Sequence, residues 1–382
     1  MTMPDASNGV KLSLMIGPRV PVPAPAFVVE ALESAEIARS DLEPSGFSLV
    51  FKLGKASGLA GDIPMLKTPL LKAGVRVVLS GVLGAVPNVL IDGIVEDIDS
   101  QPAQDGGSGT LTLKGRDLTA LMDREEKSER YPGMAPDDIA RVILARYAQY
   151  GVIPTVIPPI ASIRDNPVER TPTQNGTDLA KLKEMAEANG YIFTLLPGPV
   201  PLSTIGYWGP HVRVGGLQPA ITVDMGPETN VSNLSFELEE SEVASVSGSV
   251  LEPRSGTTIP VRSLPSLRPP LALFPSSANT VLKKVRLLQS RAGQGPAEAT
   301  AAAQAQAETT TDTLKATGDL DIGKYGRLLK TSKLVGLRGA GFDHDGLYYV
   351  RDVIHKISKG AWTQSFTIMR EGLGSTVPMV RP

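Results

Sequence analysis

Residues 348–372 read YYVRDVIHKISKGAWTQSFTIMREG. Two runs rich in β-branched and aromatic residues flank Ser358-Lys359-Gly360, the composition of two strands joined by a tight turn. One of only three histidines in the chain, His355, lies in the first run. The stretch is either the catalytic edge of an enzyme or a hairpin that holds a shape. The choice turns on whether its pattern recurs.

It recurs once. NVLIDGIVEDIDS (88–100), a loop and GTLTLKGRD (109–117) parallel GLYYVRDVIHKIS (346–358), a short loop and AWTQSFTIMREG (361–372). In each, a long strand carrying charges near its end precedes an outgoing strand that ends in Arg-Asp or Arg-Glu. Identity between the two is slight, and any two hairpins share some features, so the weight falls on the segments around them.

Those segments give a mainly β chain with α+β character. Residues 1–9 read as a loose tail, and PRVPVPAPAF (18–27) as extended, proline-rich chain. In FSLVFKL (47–53), Phe47, Leu49, Phe51 and Leu53 alternate with polar positions, the period of a half-buried strand. Strands follow at 75–81, 88–99 and 109–117, separated by glycine-rich turns. Residues 10–118 are therefore expected to form a first antiparallel β-barrel.

The texture changes over 119–225, expected to be an α/β domain. APDDIARVILARYAQYG (135–151) reads as a helix, with Pro136 in its first turn and Asp137 and Asp138 at the positive end of its dipole. Ile139, Val142, Ile143, Tyr147 and Tyr150 form its apolar stripe, and Gly151 stops it. NGTDLAKLKEMAEANGYIF (175–193) holds a second helix, capped by Thr177 or Asn175 and ended by Gly190, with Leu179, Leu182 and Ala186 inward. Alternation returns at 230–250, where Leu234, Phe236 and Leu238 share a face. Residues 226–250 with 318–373 are expected to form a second antiparallel β-barrel, interrupted by an insertion at 251–317. The insertion begins irregularly and ends in the alanine-rich PAEATAAAQAQAETTTDTLKAT (296–317), expected to be an exposed or partner-dependent helix. Residues 374–382 read as a C-terminal tail.

Composition bounds the function. A chain of 382 residues needs two to four domains. With 38 basic and 40 acidic residues, it lacks the surplus a general nucleic-acid binder needs. The absence of cysteine excludes disulfides, thiolate nucleophiles and cysteine-held metals. The start shows no secretory pattern, and VVLSGVLGAVPNVLI (77–91) is too short to span a bilayer, so no stable membrane insertion is expected.

Signals of chemistry are thin. His355 lies mid-strand, where a wall or interface role suits it. His344 sits in GFDHDG (341–346) between Asp343 and Asp345, which admits a metal site, though Asp and Gly are also the residues of a tight turn. His211 follows Pro210 in a loop with no evident partner. Neither a metalloprotease, a nucleophile-elbow nor a phosphate-loop spacing occurs. The pairs Glu125-Glu126 and Glu239-Glu240 are adjacent residues rather than two carboxylates across a cleft. The expectation is no catalytic, cofactor-binding or metal residue, no cofactor, and a non-enzyme.

Four stretches in order, PVPAPAFVVEALESAEIARSDLEPSGFSLVFKL (21–53), GTLTLKGRDLTALMDREE (109–126), TPTQNGTDLAKLKEMAEANGYIF (171–193) and residues 318–372, resemble the phage late control D family, contractile-tail baseplate hub proteins, and the hub portion of VgrG spikes. The resemblance implies a structural hub: a homotrimeric ring whose two like barrels per chain imitate six-fold symmetry, joining a hexameric inner tube to a trimeric spike. Its partners would be a separate spike protein, the inner tube protein and other baseplate subunits. Assembly in a bacterial cytoplasm into a tail or injection particle is implied too. Two other readings stand beside it: a tail-associated peptidoglycan hydrolase, and an effector or cargo adaptor that uses the alanine-rich helix.

Overall fold

In the computed structural model the described residues are 11–53, 70–83, 86–101, 109–159, 164, 167, 171–240, 244–252, 255–266, 268–279, 281, 283–288 and 295–377. The predicted tail at 1–9 lies outside them, and so does most of the predicted C-terminal tail.

Alternation becomes strand wherever one face finds a core. Phe47, Leu49, Phe51 and Leu53 of the strand Gly46–Leu53 are all buried. This strand belongs to a first module whose order across the sheet is Leu32–Ser40, Gly46–Leu53, Gly109–Asp117, Val86–Gln101, Arg76–Leu83 and Lys11–Gly17. A second module is ordered Val231–Leu238, Leu314–Asp321, Ala361–Arg370, Gly346–Ser358, Leu334–Arg338 and Gln218–Thr222. The two orders correspond strand for strand, in space and along the chain. They differ at the last strand, which pairs antiparallel in the first module and parallel in the second.

Finer marks fix the correspondence. In the first module Val95 faces Gly115 and Asp97 faces Lys114, leaving Glu96 as an extra, bulged residue. In the second, Val350 faces Ile368 and Asp352 faces Thr367, leaving Arg351 extra. The Gly74 N–H donates to the Val95 carbonyl and Val95 N–H to that of Val75; Ser332 N–H likewise donates to Val350 and Val350 N–H to Lys333. Gly74 and Ser332 both take the left-handed conformation, at φ 83° and 59°. The shared element is thus the bulged Val-x-Asp. The Arg-acid endings noted in the sequence sit one residue out of register, since Arg116 corresponds to Met369.

The expected pair of closed barrels is not what forms. All of these strands, with the short Val22–Pro23, make one 13-stranded sheet, and no sheet among the described residues closes. In the first module the reason is competition for an edge. The outer edge of Leu32–Ser40 pairs with Gly346–Ser358 of the second module, so it is not free to close its own.

The middle region packs helices against a three-stranded sheet of Val152–Val156, Thr204–Gly209 and Ile192–Pro197. The first helix runs Pro136–Ala145, shorter than expected, followed by a 3-10 turn that ends at Gly151 with φ 83°. Its buried stripe is Ile139, Ala140, Ile143 and Leu144; Val142, expected inside, is exposed. The stripe rotates because Ala140 and Leu144 follow Ile139 and Ile143 on one face. The second helix is Asp178–Ala188, with Thr177 Oγ1 accepting from Ala180 N–H at 3.1 Å. Residues 175–177, expected at the start of that helix, belong instead to the strand Thr173–Thr177, which pairs with Glu126–Arg130.

The insertion corrects two expectations. Its early part is not irregular: Thr258–Arg262 and Lys284–Leu287 flank Ala244–Leu251 in a small sheet. The helix Pro296–Glu308 packs on that sheet, with Ala299 and Ala303 buried against Val246, Val250 and Val261. Alanine is small enough to let two backbones approach, so a sequence with little apolar bulk still builds a core. Close approach occurs again at Gly190, where an added Cβ would lie 3.0 Å from the Cα of Ala305.

Candidate functional site

The feature that distinguishes this chain is the seam between its modules. Across it, Asp352 pairs with Ser40, Val353 with Arg39, Ile354 with Ala38, His355 with Ile37, Lys356 with Glu36, Ile357 with Ala35 and Ser358 with Ser34. The Ser40 hydroxyl donates to Asp352 at 2.7 Å, and accepts from the backbone of Leu42 and Glu43. Asp352 also receives Arg351 Nε at 2.7 Å. At the far end Lys359 Nζ reaches the Glu30 carbonyl at 3.2 Å.

Buried side chains on one face of the sheet lock the seam. Trp362, on the second module, is buried among first-module residues together with Ile322, Leu328 and Ile357. A Cβ added at Gly81 would sit 2.3 Å from the Trp362 ring. Arg39 is buried and bonds the carbonyls of Leu90 at 3.2 Å and Leu195 at 2.8 Å, tying the seam to the α/β region. Burial lowers its pKa to about 10 against the pull of Asp117. His355 lies 6.0 Å ring to ring from Trp362. Burial, with the Arg39 charge in the same sense, pushes it down to about 3. It is a neutral wall residue at ordinary pH.

The other histidines take structural places. His344 occupies a turn in which its N–H donates to Gly341, while Asp345 Oδ1 accepts from Ala340 N–H at 2.8 Å. Arg370 holds the carbonyls of Asp345 and Asp343 at 2.9 and 2.5 Å, and the imidazole stacks on Phe236 at 4.0 Å. His211, expected to lack a partner, has one: Nδ1 is 3.3 Å from Asp41 Oδ2, and the ring meets Tyr349 edge-on at 5.2 Å. Sequence distance concealed this pair.

A cleft of about 420 Å³ lies over the seam, lined by Arg39, His355, Leu90, Leu329, Lys330 and Lys333 among others. None of its described lining residues is a carboxylate. No group of three or more metal-ligating side chains occurs among the described residues.

Beyond the seam, charged residues staple the insertion down. Arg213 binds Glu371 at 2.8 Å and also Asp312; Arg268 binds Glu308 at 2.9 Å. Glu371 accepts from Ala272 N–H at 2.8 Å and from Leu271 N–H.

Among the described strands that pair on one side only, two belong to the like modules of the long sheet. Residues 96–101 pair only with Thr110–Lys114 on one side, and Val231–Leu238 pairs only with Leu314–Leu320. Leu238 remains 40% exposed and Ile98 36% exposed. The face expected for Leu234, Phe236 and Leu238 is thus incompletely covered.

One long sheet of two like modules, with an α/β unit between them, is a fold this chain shares with solved phage-tail proteins. The structure is similar along 95% of its length to the 43 kDa tail protein of prophage MuSo2 from Shewanella oneidensis, covering 99% of that chain at a TM-score of 0.65 and 13% identity. It is similar also to a tail protein from Neisseria meningitidis, at 98% and 100% coverage, TM-score 0.62 and 14% identity. A Francisella PdpA–VgrG complex contains a chain that it matches over 98% of its own length and 60% of the other, at TM-score 0.57 and 11% identity. At such identities the likeness is one of fold. No protein-family model and no curated protein sequence matches the chain. No described helix is long and apolar enough to cross a membrane.

Proposed function

We propose that the protein is a structural hub of a contractile tail or injection system. Three copies form a ring whose six like modules join a hexameric inner tube to a trimeric spike. The observation that carries this reading is the strand-for-strand correspondence of two modules already joined edge to edge in one chain. A chain that repeats one module twice offers a three-fold assembly near-six-fold geometry on one face and keeps true three-fold symmetry elsewhere. The phage-tail fold supports the setting. The role is one of surfaces rather than catalysis, because the cleft over the seam offers a neutral histidine and cations but no acid or base pair. Native mass spectrometry of the purified chain, alone and with its tube and spike proteins, tests the reading. A mass of three chains that captures both partners is expected; a persistent monomer that binds neither would overturn it.

A further inference from the structure

This inference rests on the ring reading and names the surface that closes it. The internal seam joins the far half of a long bulged strand, Asp352–Ser358, to the first strand of the other module. Each of these partners has a counterpart left unpaired among the described residues. Asp97 corresponds to Asp352 through the shared bulge. Phe236 corresponds to Ile37, since Ile37 faces Phe47, which faces Gly115, while Phe236 faces Ala316, which faces Ile368. Gly115 and Ile368 are themselves equivalent, because they face Val95 and Val350.

We propose that residues 97–101 of one copy pair antiparallel with residues 235–239 of a second copy, with Asp97 opposite Glu239, Ile98 opposite Leu238, Asp99 opposite Glu237, Ser100 opposite Phe236 and Gln101 opposite Ser235. The register is the internal one carried across: the pair Val353 and Arg39 becomes Ile98 and Leu238. Two independent features fit it. Both edges present backbone N–H and C=O groups that need partners. The register also brings together two exposed apolar side chains, Ile98 and Leu238, whose internal counterparts Val353 and Arg39 are buried.

The opposite face of the seam carries like charge. Asp97 and Asp99 meet Glu239 and Glu237, and each side keeps a lysine one strand further in. Lys114 Nζ lies 2.6 Å from Asp99, and Lys315 Nζ 3.7 Å from Glu237. Like charges directly opposite weaken strand pairing, and salt screens exposed charges. Closure of the ring is therefore tuned by charge: screening tightens it.

The chain has no cysteine, which makes the test direct. Directly opposite residues of an antiparallel pair lie within disulfide reach. The double variant Ile98→Cys with Leu238→Cys, mildly oxidised, should give reducible species of two and three cross-linked chains. The shifted pair Ile98→Cys with Ser232→Cys should give at least an order of magnitude less. If the unmodified protein has the mass of three chains yet the first pair fails to cross-link, or the shifted pair links equally well, this seam is wrong and the ring reading stands. A monomer at every concentration, with no cross-link, sinks both. As a second measurement, Asp99→Lys should tighten association by placing a lysine opposite Glu237, and Asp99→Lys with Glu237→Lys should lose that gain. Raising salt from about 0.05 to about 0.5 M should increase the associated fraction; a decrease would overturn the charge argument.

Discussion

The Ser40 hydroxyl donates a 2.7 Å hydrogen bond to the Asp352 carboxylate across the line where the two β modules meet. The same oxygen accepts from two backbone N–H groups of the turn that follows it. Serine here both closes a turn and pins the register of the seam, for the pair sits directly opposite in the ladder. Ser40→Ala should lower unfolding free energy by about 1.5–3 kcal/mol, the net worth of a hydrogen bond to a charged group. Asp352→Ala should lower it by a similar amount or more, since Arg351 also loses its partner. Urea unfolding of both single variants and the double variant measures the coupling. A double variant whose loss equals the sum of the two would show that the bond contributes nothing.

Trp362 anchors the second module in the core of the first. Trp362→Ala should destabilise the chain by about 3–5 kcal/mol through lost burial and a residual cavity. Gly81→Ala approaches the same contact from the other side, because its new methyl would begin 2.3 Å from the ring. Displacement of the indole should shift tryptophan emission in Gly81→Ala before global unfolding begins. An unchanged spectrum with unchanged stability would refute the contact.

His355 gives an acid-sensitive contribution to stability. Its folded pKa of about 3 lies below the ordinary histidine value of 6.5, so the unfolded chain binds the extra proton first as pH falls. The contribution is complete above about pH 6.5 and is lost as pH drops from there toward 3. His355→Leu should flatten the fall in stability across this window relative to the wild type. Denaturant midpoints at stepped pH provide the measurement, and parallel slopes for both proteins would count against the assignment.

Asp178 organises the α/β region. Its carboxylate receives Lys127 at 2.7 Å, the Tyr147 hydroxyl at 2.9 Å, Gln174 Nε2 at 2.8 Å and Arg146 at 3.1 Å. Burial alone would raise its pKa; the bonds from Gln174, Lys127 and Tyr147, with the Arg146 charge, outweigh that and hold it below the usual carboxylate value. Asp178→Ala should destabilise by about 3–5 kcal/mol, the penalty for leaving buried partners uncompensated. Calorimetry would detect it, and a change under about 1 kcal/mol would show that water replaces the carboxylate without strain.

The alanine helix of the insertion should tolerate no growth on its inner face. Ala303→Leu should loosen the small sheet and expose residues 244–308 to protease, at about 1–3 kcal/mol of overpacking. Ala301→Leu is the control, on a half-buried position of the same helix. Equal digestion rates for the two variants would contradict the packing.

Period-two alternation identified Gly46–Leu53 and the closing hairpin, because side-chain alternation is a local property of a pleated chain. The capping role of Thr177 was equally local, whereas the helix expected to run to Gly151 ends at Ala145, and Gly151 closes only the 3-10 turn that follows. Other features depended on contacts that no local window contains. Ser40 and Asp352 are 312 residues apart, and the edges they lie on meet only in the folded chain, where their pairing leaves the first module open rather than closed as a barrel. Val142 turned outward because the second helix and the three-stranded sheet chose which face to cover. The alanine helix became core because a partner sheet lay close enough for methyl groups to fill the gap. Sequence fixes which segments can be strands; which edge each strand meets is decided by the free energy of all available pairings at once.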